Sequence, residues 1–321
     1  MVKSAIITAA GSGRRFGEVK QFKKLHGKPL YQYSLDIFIQ SRLFDEIILV
    51  IPNSNQEKVQ KKIKRKYGSQ VSLIIGGPDR QDSVKNAIDY HQPNVVLNLA
   101  AYTDVDGCEK SIETSENINL NGLKNICKYF NGHIIQISTD YVFDGMSGPY
   151  YEEDRTNPLS VYGKHKLAAE EFLINNSSNY TIIRTNVLYG DLMSSASFLY
   201  WIVNSLSNSK KINIVNDQWN NPTSTHSLVK FISYIIENSI FGLYHYADKG
   251  IMNRYDFAIL IAKSFDLDQQ LIKPITSSEL NQLAPRPMKS GLLTKLIEQQ
   301  LEIEPPSVES CLENIRKKFM Q

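Results

Sequence analysis

Runs of consecutive apolar residues alternate along this chain with longer stretches in which apolar residues recur at helical spacing. The runs are SAIITAA (4–10), EIILVIP (46–52), VSLIIGG (71–77), NVVLNLAA (94–101), HIIQIST (133–139) and YTIIRT (180–185). Between them lie PLYQYSLDIFIQS (29–41), QEKVQKKIKRKYG (56–68), RQDSVKNAIDYH (80–91), ETSENINLNGLKNICKYF (113–130) and YGKHKLAAEEFLINN (162–176). Strands that are apolar at successive positions are buried on both faces, so the rhythm predicts an α/β fold: a doubly wound parallel sheet with helices on each side. After about residue 190 the rhythm loosens, and NDQWNNPTSTH (216–226) and LAPRPMKSG (283–291) read as loop-like insertions among helical stretches. A smaller C-terminal lobe is expected there. With no repeat or flexible linker between the lobes, ligands belong at the carboxyl ends of the strands.

Composition narrows the partners. The 321 residues are 42% hydrophobic, enough for a real core, and 36 Lys plus Arg against 33 Asp plus Glu leave a net charge of +3. That balance gives no case for nucleic acid or an anionic membrane as a bulk partner, so anion affinity must be local. Cys108, Cys127 and Cys311 are scattered and odd in number, which suits neither a disulfide framework nor a metal cluster and fits a reducing compartment. The apolar part of MVKSAIITAAG is too short for a signal peptide and no run has membrane length, so the expected location is the cytoplasm and no metal site is expected.

Two motifs carry chemistry. The first strand breaks into AAGSGRRFG (9–17), in which Gly11, Gly13 and Gly17 let the backbone approach a phosphate at a helix N-terminus, beside Arg14 and Arg15. The turn alone leaves open a dinucleotide, for redox chemistry, or a nucleoside triphosphate, for nucleotidyl transfer. The second motif is Tyr162 with Lys166 in SVYGKHKLAAEEF, four apart on one helix face. Among 17 tyrosines such a pair also arises by chance on a solvated helix surface. Its setting adds weight, because IIQISTDYVFDG ends a buried strand in Ser138, Thr139 and Asp140, where a nucleotide fold places its ligand. Carbonyl reduction needs a hydride donor and a proton donor, and a phenol serves as the acid when a nearby cation, here Lys166, shifts it toward neutrality.

From about residue 88 onward the chain resembles the extended short-chain dehydrogenase/reductases, specifically the dTDP-4-dehydrorhamnose reductase family. The matching segments are NVVLNLAAYTDVDGCE, ISTDYVFDG, YYEEDRTNPLSVYGKHKLAAEE, IIRTNVLYG, VNDQWNNPTSTHSLV, GLYHYADKG and APRPMKSGLL. The resemblance implies a Rossmann-like fold and the reduction of a nucleotide-linked keto-sugar. It implies that Thr139 binds the sugar carbonyl, that Tyr162 donates the proton, and that Lys166 acidifies Tyr162 and holds the nicotinamide ribose. It places Ala100, Ala101 and Tyr102 beside the cofactor, Thr103, Asn186 and Arg286 at the substrate, and Asn119 as a brace of the strand ends. Val187 stands where close relatives of the rhamnose enzyme carry Trp, which leaves the sugar open.

Residues 1 to about 88 resemble a different family, the cytidylyltransferase of the methylerythritol phosphate pathway, through ITAAGSGRRFGEVKQF, GKPLYQYSLDIF, DEIILVIP and GGPDRQDSVKNAI. That likeness implies that Gly11, Gly13, Arg14 and Lys20 cradle a triphosphate and that Arg80 and Ser83 meet the cytosine. It stops at NLAAYT, where Leu99 stands in place of the family's metal-binding Asp, so nucleotidyl transfer is not expected. At the seam near NAIDYHQPNVVLNLAA both families are expected to run helix, loop and then the strand beside the first, each with three strands before it. The expected domains are therefore 1–88, the first half of the nucleotide-binding sheet; 89–190, its second half with the catalytic residues; and 191–321, mostly a substrate lobe with some segments returning to the sheet. In a chain so joined, Gly11, Gly13 and Arg14 take the dinucleotide pyrophosphate. The second strand ends in EIILVIPNSN without the acidic residue that holds a ribose 2'-hydroxyl, which favours NADPH over NADH. The expected partners are a nucleotide-sugar and, at most, a second copy of the chain in a homodimer. The alternatives are a non-catalytic nucleotide-binding regulator and a residual cytidylyltransferase.

Overall fold

The computed structural model describes residues 4–8, 22, 24–25, 28–42, 44–53, 56–77, 80–190 and 197–319. It separates into two compact units, residues 1–94 with 125–130, and residues 95–124 with 131–321.

In the first unit the strands Ser4–Thr8, Glu46–Ile51 and Val71–Ile75 form a parallel ladder with Glu46–Ile51 in the middle. The middle strand shows why its sequence is a continuous apolar run. Ile47, Leu49 and Ile51 pack with Tyr31 and Leu35 of the helix Leu30–Ser41 and with Val59 and Ile63 of the helix Gln56–Tyr67. The alternate residues Ile48 and Val50 pack with Ala87 of the helix Arg80–His91. Each face of the ladder is thus covered by helix.

The second unit holds the parallel ladder Val95–Asn98, His133–Thr139, Tyr180–Thr185, Gly242–His245, in that order. On one face Ile135, Ile183 and Tyr244 pack with Leu228, Phe231, Ile232 and Ile235 of the helix Thr225–Asn238. Against the same ladder lies the helix Val161–Asn176, whose contact is partly polar. Glu170, 1% exposed, takes the Ser138 hydroxyl and a fork from Arg184, with Nη2 at 2.7 Å and Nε at 3.1 Å. Desolvating such a pair costs about what its attraction returns, so its value lies in fixing the helix on the strands. The helix Val105–Lys110 forms where the pattern shows nothing, because Asp104 caps it by accepting from the Gly107 amide at 2.9 Å. The two loop-like insertions bind each other, with the Trp219 amide donating to the Met288 carbonyl at 2.7 Å and the Ser290 amide to the Trp219 carbonyl at 2.9 Å. Beyond the ladder a separate core gathers Tyr189, Leu199, Ile202, Ile214, Phe257, Ile261 and Leu312. The three cysteines are unpaired, and among the described residues no helix is long and apolar enough to cross a membrane.

Candidate active site

Thr139 closes the strand His133–Thr139, and the chain turns at once into the short 3-10 segment Asp140–Val142. The Thr139 hydroxyl accepts from the Tyr141 amide at 3.2 Å and donates to Asp140 Oδ1 at 3.1 Å. Tyr162 arrives on the first turn of the helix Val161–Asn176, where the Ser160 hydroxyl accepts from the Gly163 amide at 3.1 Å and the Val161 amide donates to Glu109 Oε1 at 2.8 Å. Gly163 is required here, because a Cβ at that position would lie 2.3 Å from the Tyr141 carbonyl oxygen. That close approach brings the Tyr162 hydroxyl into a hydrogen bond with Thr139 and sets its ring edge-on to Tyr141 at 5.8 Å. One turn on, the buried Lys166 ammonium donates to the Ile137 carbonyl at 2.5 Å. Thr139, Tyr162 and Lys166, proposed as a set from spacing and resemblance, lie together at one strand end.

The electrostatics differ from the simplest expectation. Burial pushes the Tyr162 phenol up; the Thr139 hydrogen bond opposes this, while Asp140, Tyr141 and Cys108 add to it. The phenol is therefore fully protonated in the free protein. Burial lowers Lys166 to about 8, against the attraction of Glu170, and one of its ammonium hydrogens goes to the Ile137 carbonyl.

Behind Thr139 lies a polar cluster that sequence reasoning identified only in part. Asp140, 2% exposed, accepts from the hydroxyl of Ser290 and from Asn186. Asn186 also donates to the Ser290 carbonyl at 3.0 Å. Burial raises the Asp140 carboxyl to about 6, opposed by the hydrogen bonds of Ser290, Thr139 and Asn186 and by the charge of Arg254. Asn186 follows the strand Tyr180–Thr185, and both the Thr185 hydroxyl oxygen and Asn186 Oδ1 are buried without a hydrogen-bond partner. Such orphaned atoms, side by side at the carboxyl end of a strand next to Thr139, mark where a ligand's polar groups belong. Ser290 carried one available signal, its place in the loop-like run that holds Arg286; Arg254 carried none.

At the end of the strand Val95–Asn98 the chain runs out as Leu99, Ala100, Ala101, Tyr102 and Thr103, all exposed except the half-buried Tyr102. Asn98 receives the Ala100 amide at 3.2 Å. Asn119 clamps Tyr102 from both sides, accepting from its amide at 2.8 Å and donating to its carbonyl at 3.1 Å, which is the bracing expected of it. Arg286 pairs with Asp106 at 3.0 Å and donates to the Ala284 carbonyl at 2.9 Å, and its charge bears on Tyr141. Gly11, Gly13, Arg14 and Lys20 lie outside the described residues, as does the side chain of Arg80, while Ser83 is buried in the first turn of the helix Arg80–His91. Among the described residues no cluster of three metal-ligating side chains occurs.

Two family models match the chain, the RmlD substrate binding domain over residues 77–320 and 2-C-methyl-D-erythritol 4-phosphate cytidylyltransferase over residues 3–102. A dTDP-4-dehydrorhamnose reductase from Aggregatibacter actinomycetemcomitans is 33% identical over 74% of this chain and 85% of the relative. Methionine adenosyltransferase 2 subunit beta from Danio rerio is 30% identical over 66% of this chain and 68% of its own length. The crystal structure of a dTDP-4-dehydrorhamnose reductase from Clostridium acetobutylicum superposes with a TM-score of 0.70 at 32% identity, covering 85% of this chain and all of that one. One from Bacillus anthracis, solved with NADP, gives a TM-score of 0.74 at 23% identity over 99% of this chain and 100% of that one. The parallel-sheet α/β fold is thus Rossmann-like.

Proposed function

Because the chain belongs to the RmlD substrate-binding domain family, we propose that it is an NADPH-dependent reductase of the keto group of a nucleotide-linked sugar. The observation that carries this reading is the joint placement of Thr139, Tyr162 and Lys166 at one strand end, beside the orphaned polar atoms of Thr185 and Asn186. The residues present suit a nicotinamide dinucleotide. Lys166 has three donors, of which the Ile137 carbonyl engages one, and the exposed Ala100 and Ala101 lack the bulk that would keep a cofactor from the backbone. Lys166, Ala100, Ala101 and Tyr102 would hold it, with Gly11, Gly13 and Arg14 as the candidates for its phosphates. Bound there, the reduced cofactor supplies a hydride to the sugar's carbonyl carbon.

The chain supplies the rest. Tyr162, kept protonated by burial, gives its proton to the carbonyl oxygen as negative charge develops on it. Thr139 positions that oxygen. Lys166, a buried cation, favours the phenolate left behind and the ribose hydroxyls. Thr103, Asn186 and Arg286 face the substrate. The likeness of residues 3–102 to a cytidylyltransferase does not extend to its chemistry, since Leu99 at the strand end offers no carboxylate for a metal. A second reading is a non-catalytic nucleotide-binding regulator of a partner enzyme, and the chain is also similar to a protein named as a subunit of an enzyme, methionine adenosyltransferase 2 subunit beta. We place the protein in the cytoplasm, with a second copy of the chain, in a homodimer, as its proposed protein partner.

The test is oxidation of NADPH in the presence of dTDP-4-dehydrorhamnose and related nucleotide keto-sugars. The expected result is turnover that falls by roughly 10² to 10⁴ in Tyr162→Phe with the fold intact. Wild-type protein that binds the cofactor without turnover supports the regulatory reading instead.

A further inference from the structure

We propose that Asp140 sets the donor direction of Thr139, drawing its hydroxyl proton away from the substrate as a carboxylate and releasing it toward the substrate as a carboxylic acid. This rests on the reductase reading above and adds to it a positioning residue outside the Thr139, Tyr162 and Lys166 set.

A threonine hydroxyl has one hydrogen to donate and two lone pairs with which to accept. In the structure the Thr139 hydrogen goes to Asp140 Oδ1 at 3.1 Å, and one lone pair is taken by the Tyr141 amide at 3.2 Å. Thr139 lowers the Tyr162 phenol, the effect of a hydroxyl that donates to it, so the single Thr139 hydrogen serves either Asp140 or an oxygen on the Tyr162 side. While Asp140 is a carboxylate, that hydrogen is drawn away from a carbonyl oxygen. When Asp140 carries a proton on Oδ1, that proton goes to Thr139 and the Thr139 hydrogen is freed. No bond is made or broken beyond the transfer of one proton from solvent to the carboxylate.

Asp140 is built to take that proton. It is 2% exposed, and burial places its carboxyl at about 6. Its Oδ2 is occupied by the Ser290 hydroxyl, which leaves Oδ1, the oxygen facing Thr139, as the one whose protonation matters. The groups that bear on it are Arg254 from the helix Arg254–Ser264, Asn186 beyond the neighbouring strand, and Tyr162, whose phenol Asp140 raises in turn. Tyr141 is itself faced by Arg254 and Arg286, and Tyr162 by Cys108.

The experiment compares the pH dependence of kcat and KM from pH 5 to 8 in wild type, Asp140→Asn and Ser290→Ala. The wild-type kcat/KM is expected to fall as pH rises through about 6, by roughly tenfold or more for the loss of one donor to a developing oxyanion. An asparagine amide donates to Thr139 at every pH, so Asp140→Asn should remain active with that fall abolished. Ser290→Ala removes a hydrogen bond that favours the carboxylate, and should move the fall to higher pH. Independently of turnover, the carboxylic-acid infrared band in the wild-type-minus-Asp140→Asn difference spectrum of the free protein should titrate near pH 6. An active wild type whose fall persists in Asp140→Asn, or a difference spectrum with no titrating acid, overturns this role alone. A wild type that reduces no keto-sugar overturns the reductase reading and this role with it.

Discussion

Lys166 shows how a single side chain can serve the site at the expense of the fold. The residue is 3% exposed, and burial lowers its ammonium from 10.5 to about 8, which corresponds to an upper limit of about 3 kcal/mol of destabilisation at pH 7. The sign follows from linkage. An unfolded chain keeps the proton up to pH 10.5 while the folded one loses it at about 8, so this group's penalty is full below pH 8 and relieved as pH rises toward 10.5. Lys166→Met fills the same space without the charge, and the Ile137 carbonyl keeps the Gln136 amide as a donor at 2.7 Å. The variant is therefore expected to lose turnover yet unfold at a higher temperature than wild type at pH 7, with the advantage shrinking above pH 8. A thermal midpoint equal to or below that of wild type at pH 7 would falsify the view that Lys166 is retained for chemistry. The same tension surrounds Asp140, whose raised carboxyl makes the folded protein less stable as pH rises from about 4 to 6.

The pairing of elements decides where those side chains stand, and Gly163 is the point at which the helix Val161–Asn176 meets the strand end. With a Cβ placed 2.3 Å from the Tyr141 carbonyl oxygen, Gly163→Ala must move either the helix or the Asp140–Val142 turn. The expected costs are about 1–3 kcal/mol of stability and a larger drop in kcat than in affinity for the cofactor, because Tyr162 and Thr139 ride on the two parts that separate. Denaturation and steady-state kinetics on one preparation check it; a variant with normal kcat shows that the approach is not what aligns the pair. At this scale much was legible in the sequence. The runs at 46–51, 133–139 and 180–185 could only be strands buried on two sides, and they are. The helix Val105–Lys110 was not legible, since one capping Asp104 makes it rather than any periodicity. Nor was the delivery of Ser290 to Asp140 across 150 residues of chain, which depends on two loops bonding to each other through Trp219, Met288 and Ser290. Backbone pairing of that kind leaves no pattern in side-chain polarity.

For the whole molecule the decisive matter is which phosphate compound the chain has come to hold, because matches to two families overlap between residues 77 and 102. The second unit offers a cation, Lys166, and an open strand end at Ala100 and Ala101; the turn with Gly11, Gly13 and Arg14 lies outside the described residues. A nucleoside triphosphate needs a metal carboxylate as well as that turn, and Leu99 stands where the cytidylyltransferases carry theirs. A dinucleotide needs only close backbone amides and, for a 2'-phosphate, a cation such as Arg14. Folding free energy reads the choice directly, since a ligand at a hundredfold its Kd adds about 2.7 kcal/mol to the folded state. The expected outcome is that NADPH raises the thermal midpoint, that CTP with magnesium does not, and that Arg14→Ala shifts the NADPH concentration needed by roughly ten- to a hundredfold, the effect of losing one charge-assisted contact. If CTP stabilises the protein and NADPH does not, the turn has kept the ligand of its cytidylyltransferase-like segment and the reductase part is without its cofactor. If NADPH binds equally well in Arg14→Ala, the Arg14 side chain is not what holds the cofactor's phosphates.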